Sequence, residues 1–190
     1  MRLRTQHESH VEVVATIYHF DIDVADHDRN VFESLALKVA RHPSESEDYM
    51  WTRVLAYALE YTEGIEFSRG GISEPEDPPI AIRDLTGAYR SWIEIGTPDA
   101  DRLHKASKAS PRVAVYLHKD PQPWLNRLDG SRIHRAGAIE IHAMDRALLD
   151  RLAAHLERRI AFSLSVSDRE LHLSLQSASV SGRMTRLTLS

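Results

Sequence analysis

Cysteine is absent from the 190-residue chain, which excludes disulfides, thiolate catalysis and every zinc site that needs sulfur, and fits a reducing compartment. Long apolar runs are missing too. The longest, such as Val54 to Leu59 and Val113 to Leu117, are far too short to span a bilayer, and the amino-terminal segment has no continuous apolar stretch of the signal-peptide kind. There is no excess of positive charge: 24 Lys and Arg stand against 28 Asp and Glu, a formal net charge of −4, so any nucleic-acid site must be a local basic patch. Gly-x-Gly-x-x-Gly, Walker A, Gly-x-Ser-x-Gly and His-Glu-x-x-His motifs are all absent, which removes the usual support for nucleotide-binding, serine-hydrolase and zincin readings. What remains is a chain with 42% apolar residues, enough to build one domain over 1–190 in a soluble, cytoplasmic protein that does not engage a membrane.

The first dozen residues read as a loose extension. From Val13 to Val24 apolar and polar residues alternate, with Tyr18, Phe20 and Ile22 on one face and His19, Asp21 and Asp23 on the other, which predicts a strand. Asp28 to Arg41 places Val31, Leu35 and Val39 four apart and predicts a short helix stopped at His42-Pro43. Ser44 and Glu47 form a capping box for a second helix, whose stripe includes Met50, Val54, Leu55, Ala58 and Tyr61 and which stops at Gly64. Ile65 to Ser68 reads as a strand, Gly70-Gly71 as a turn, and Ser73 to Pro79 as an acidic loop stiffened by proline. Ile80–Arg83 and Tyr89–Ile95 flank Asp84-Leu85-Thr86-Gly87 as a hairpin, and Thr97-Pro98 opens a helix that runs to about Ser110. Strands are expected over 112–118 and 139–143, with a loop over 119–123 between them. Asp145 caps a helix to about Arg158, and β segments follow near 160–166, 171–175 and 184–189. Together these elements predict an α/β fold, a mixed central β-sheet flanked by helices.

The hairpin also suggests chemistry. With Thr86 and Gly87 as its central residues, Glu94 lies opposite Pro79 and close to Asp77 and Glu76, whereas Asp84 sits roughly five residues away along the strand at about 3.3 Å each. A wider or bulged turn would shorten that distance. Two carboxylates brought together repel unless a proton or a hard cation such as Mg²⁺ or Mn²⁺ sits between them, which makes Asp77 with Glu94 a metal-site candidate. A solvated acidic loop beside a glutamate that merely ends its strand accounts for the same residues. On the next helix Arg102, Lys105 and Lys108 form a basic stripe, suited to phosphates or simply to solvent.

At these residues the chain resembles the YaeQ family. The resemblance rests on Trp92-Ile93-Glu94-Ile95-Gly96-Thr97-Pro98 continuing through Arg102-Leu103-His104-Lys105-Ala106, on Ala15-Thr16-Ile17-Tyr18, on Ala40-Arg41-His42-Pro43-Ser44-Glu45, on Phe67-Ser68-Arg69-Gly70, and on Asp84-Leu85-Thr86-Gly87. The resemblance implies a variant of the restriction-endonuclease-like, PD-(D/E)XK fold with extra strands at both ends. It also implies a metal-dependent nuclease site, with Glu94 as the strand acid, Asp77 or Asp84 as the second metal ligand, and Glu45, with Glu60 behind it, as the helical acid. Gly96 stands where that superfamily has lysine, so Lys105 would reach in from the helix, with Lys108 as its substitute. Arg69, Arg102 and Lys108 would hold substrate phosphates, and Mg²⁺ or Mn²⁺ would be the cofactor. Two other readings keep the fold without the reaction. One is a binding or regulatory module for nucleic acid or a protein partner. The other gives Glu94 a purely structural ion pair with Arg102 or Lys105.

Overall fold

In a computed structural model that describes residues 14–69 and 76–190, the alternation after Val13 forms strand β1 (Thr16–Asp26), with Phe20, Ile22 and Val24 buried. The amino-terminal extension, the Gly70-Gly71 turn and the first part of the acidic loop lie outside the described residues. Past a turn at Asn30, whose φ of 57° is left-handed, the chain enters β2 (Val31–Arg41) and pairs antiparallel with β1 along its whole length. This replaces the helix expected over 28–41. Positions four apart share a face in a strand as well as in a helix, so Val31, Leu35 and Val39 satisfied both patterns, and pairing with β1 decided between them.

Helix α1 (Glu47–Leu59) starts two residues later than the expected capping box. Ser46 accepts from the Tyr49 amide, while Ser44 hydrogen-bonds the His42 ring. Nearly every residue of α1 from Met50 to Leu59 is buried, because the helix is covered on both sides. After β3 (Ile65–Phe67), β4 (Ile80–Arg83) and β5 (Tyr89–Ile95), helix α2 (Ala100–Ala109) takes Asp99 rather than Thr97 as its cap. Beyond β6 (Val113–Leu117), the segment expected to be a loop is the start of α3 (Pro121–Leu128). Asp120 accepts from the Gln122 amide and Pro121 takes the first turn, where its missing N–H costs nothing.

Next come β7 (Glu140–Ala143), α4 (Arg146–Ala153), shorter than expected, β8 (Arg159–Ser167) and β9 (Glu170–Leu175). They are followed by β10 (Ser179–Arg183), which the sequence reading missed, and β11 (Thr185–Leu187). Only Val180 of β10 is buried, and Gly182 lets α4 approach closely: a Cβ there would lie 2.8 Å from that of Asp145.

The fold is α/β with sheets of mixed direction, but the strands divide between two sheets, ordered β10-β9-β8-β1-β2 and β11-β7-β6-β5-β4-β3. The single sheet read from the sequence gives way because β1 pairs with β8 rather than with the hairpin strands. Phe20, Ile22, Phe162 and Leu164 of the first sheet meet α1 and α4 from one side, and Ile80, Ile93 and Ile95 of the second meet the same core from the other. The opposite face of the second sheet carries Trp92, Val113, Val115 and Ile141, covered by Leu103 of α2 and Trp124 of α3. In β5, β6 and β7 the strands run parallel, so their carboxyl ends open on one rim.

Candidate functional site

Strands β4 and β5 pair Ile80 with Ile93 and Ala81 with Trp92, the register expected from the sequence. A bulge between Ile82 and Arg83 then moves Arg83 opposite Tyr89, and Gly87, at φ +86°, closes the turn by donating to the Asp84 carbonyl at 3.0 Å. Continued by one pair, this register sets Glu94 opposite Pro79, next to the segment that carries Glu76 and Asp77.

Glu94 shares the α2 face of β5 with Trp92 and is 3% exposed. The Trp92 indole and Arg102 Nε both donate to its Oε1 at 2.6 Å. From the same guanidinium, Nη2 donates to the Asp77 carbonyl at 2.9 Å, and the group sits 5.7 Å from the Trp92 ring centroid. Arg102 therefore fastens α2 to β5 and to the chain entering β4. Burial pushes the Glu94 carboxyl upward, and the adjacent Arg102 charge and the two donors pull it back.

The other expected site residues fall into three groups. Near Glu94, Asp77 is partly buried with its carboxylate 3.4 Å from the Tyr89 hydroxyl, and Lys105 is exposed and ion-paired with Glu76. Lys108 and Arg69 are exposed; Arg69 borders a shallow pocket together with Asp77 and Arg83. Asp84 sits at the hairpin tip, where its carboxylate accepts from the Thr86 hydroxyl and from the Thr86 and Ala88 amides. The Thr86 hydroxyl above all holds that carboxyl below its ordinary range. Of the two strand aspartates, only Asp77 lies beside the end of β5.

Glu45 stands just before α1. Its side chain is buried and paired with Arg53 at 2.9 Å, leaving Oε1 without a hydrogen-bond partner. Burial raises its carboxyl despite Arg53. Glu60 ends α1 and accepts both Arg112 terminal nitrogens, at 2.7 and 3.1 Å, and the Tyr116 hydroxyl at 2.7 Å. Arg112 also reaches Glu140 on β7 at 2.6 Å. This network ties α1 to the second sheet. Arg112→Met should lower unfolding free energy by about 2 kcal/mol in urea denaturation, the larger cost of an orphaned buried acid being discounted because the arginine is one-third exposed.

As arranged, these donors do not form a cage for a divalent cation. Hard ions require several free oxygens, yet Glu94 Oε1 is held by Arg102 and Trp92, and Asp84 is spent on its turn. Among the described residues no three His, Asp or Glu side chains gather around one point. The sequence reading passed over the Trp92 donor, and it missed a crevice at the carboxyl rim that gathers Glu45, Tyr49, His118, Lys119, Arg127 and Arg146 from four separated segments. The Asp120-Pro121 cap, a signature of the same kind as Thr97-Pro98, was the available pointer to α3 beside it.

The fold and this cluster define an α/β protein in which an arginine-clamped acidic hairpin backs onto an open rim of parallel strands. The chain belongs to the YaeQ family: the sequence model described as YaeQ protein matches residues 12–184. The uncharacterized YaeQ protein of Salmonella typhi is 32% identical over 162 residues, covering 84% of this chain and 88% of that protein, and its Escherichia coli (strain K12) counterpart is 30% identical over the same shares. Crystal structures of YaeQ from Pseudomonas syringae and from Xanthomonas axonopodis pv. citri superpose with TM-scores of 0.82 and 0.84. They are 30% and 27% identical to this chain, cover 92% and 93% of it, and are themselves covered over 96% and 99% of their lengths. No helix among the described residues is long and apolar enough to cross a membrane.

Proposed function

We propose that this protein is a cytoplasmic, restriction-endonuclease-like module that binds nucleic acid through its phosphates and does not cleave it at Glu94. The observation that carries this reading is the Arg102 guanidinium on the Glu94 carboxylate, which puts an internal cation where the nuclease reading needs a metal. Support for the fold assignment is the run α1-β3-β4-β5-α2-β6, a helix, a hairpin with an acid on its second strand, then a helix and a parallel strand. Lys105 and Lys108 on α2, with Arg69 across the hairpin, supply the phosphate contacts, which position a ligand without reading its sequence.

Metal-dependent phosphodiester cleavage is the second reading, favoured by the approach of the Asp77 segment, Glu94 and α2 to one another. It requires Arg102, one-quarter exposed, to leave Glu94 so that Asp77 and Glu94 can take Mg²⁺ or Mn²⁺ with Lys105 beside them. Labelled single- and double-stranded DNA and RNA separate the two readings. The binding reading expects association that weakens steeply with salt, drops at least tenfold in Lys105→Ala/Lys108→Ala, and yields no product with Mn²⁺. Cleavage with Mn²⁺ that disappears with EDTA and in Glu94→Gln would replace it with the second reading. No association at low salt would overturn both and direct attention to a protein partner.

A further inference from the structure

The carboxyl ends of parallel strands are where open α/β sheets characteristically receive ligands. Here β5 ends at Ile95 and β6 at Leu117, and the residues that follow them, Gly96 and His118, line a crevice of about 840 Å³, within the size range of small-molecule sites. Three cations edge it: Lys119 after β6, Arg127 on α3 and Arg146 at the start of α4. All three are exposed, and among the described residues none of them is engaged by a carboxylate or a hydrogen bond. Arg29, Arg53, Arg83 and Arg112 are each bound to an acid, whereas these three are left open to an anion. Of the two rim aspartates, Asp120 spends an oxygen on the α3 cap and Asp48 belongs to the first turn of α1.

Deeper in, two polar atoms have no partner. Glu45 Oε1 is buried while its sister oxygen holds Arg53, and His118 Nδ1, on another part of the lining, is buried as well. The Tyr49 ring stands edge-on to His118, with centroids 5.8 Å apart, and burial keeps its phenol neutral by lifting it to about 12. Burial, assisted by Lys119, lowers the His118 imidazole. At neutral pH the wall is therefore an uncharged ring pair. A ligand that matches both parts carries an anionic group for the rim and a flat ring to pack against Tyr49 and His118.

We propose that this crevice binds a nucleoside monophosphate, with its phosphate on Lys119, Arg127 and Arg146 and its base against the Tyr49 and His118 rings. The site opens at the carboxyl rim, lined from α1, α3 and α4, and includes neither Lys105 nor Lys108 of α2.

Isothermal titration of the full chain with AMP, GMP, CMP and UMP, alongside ribose 5-phosphate and inorganic phosphate, tests it. At least one nucleotide is expected to bind ten or more times tighter than inorganic phosphate. Lys119→Ala/Arg146→Ala should weaken nucleotide and phosphate together by at least tenfold, whereas His118→Ala should weaken only the nucleotide. Equal binding of all six ligands would reduce the crevice to a general anion site and overturn the proposal. Absence of nucleotide binding at millimolar concentration, or nucleotide binding untouched by the rim variants, would overturn it as well. Because the rim variants leave Lys105 and Lys108 in place, oligonucleotide association measured on the same samples shows separately whether the α2 reading holds.

Discussion

Arg53→Met is expected to reduce the unfolding free energy by about 3–5 kcal/mol, read from urea denaturation at neutral pH. Arg53 and Glu45 are among the few charged side chains shut away from water, 4% and 1% exposed, and the arginine also donates to the Ala40 carbonyl at 2.8 Å. Methionine preserves the length and apolar body of the side chain, so packing over Phe67 changes little and the loss is electrostatic. What remains is a buried carboxylate with neither oxygen satisfied. It must either stay charged without compensation or take up a proton at the cost of its own ionisation. Adding Glu45→Gln to Arg53→Met should recover more than half of the loss, because no charge is then left behind. A single-variant loss below about 1 kcal/mol would show that the pair contributes no more than an exposed one.

Acidification supplies the second large effect. His142 on β7 is 6% exposed, stacks on Tyr116 with ring centroids 4.7 Å apart and accepts from Arg169 at 3.2 Å. Burial above all drives its imidazole down to about 4. The unfolded chain takes up a proton at this position near pH 6.5, while the native state refuses it until about pH 4. Stability from this residue is therefore complete above about pH 6.5, declines as pH falls through that interval and levels off below it, a loss of about 3 kcal/mol in all. With His142→Phe, which keeps the stacking ring without the titration, the wild-type minus variant stability difference should fall by about 3 kcal/mol between pH 7 and pH 4. A difference that is constant across that range would mean the imidazole titrates normally in the folded protein.

The parts of this fold that were legible in the sequence are those with one dominant local signal. The β4–β5 hairpin announced itself through Asp84-Leu85-Thr86-Gly87, and even its register followed from the turn until the bulge at Arg83. The Glu94 ion pair was within reach because Arg102 is only eight residues away, on the helix that directly follows the strand. β2 was hidden because its apolar spacing is shared by two periodicities, and only its eleven paired positions on β1 settle the matter. β10 was hidden because a polar strand with one buried valine carries almost no periodic signal. The division into two sheets depends on β1 meeting β8, an association of residues more than a hundred positions apart that no window of sequence contains. For the same reason the crevice on the carboxyl rim could not be read: apart from Glu45, its members are unremarkable one at a time.

That distant pairing also bears on how the chain is made. As the protein leaves the ribosome, β1 and β2 can close at once as a local hairpin, but the free edge of β1 has no neighbour until Arg159–Ser167 have been synthesised. Through most of translation, an extended strand with bare amides and an apolar face of Tyr18, Phe20 and Ile22 is open to any other strand it encounters. Fragments ending at Ala153 would keep that edge bare for good. They should collect in the insoluble fraction where the full-length chain does not, which makes the carboxyl-terminal fifth the intramolecular guard of the first strand.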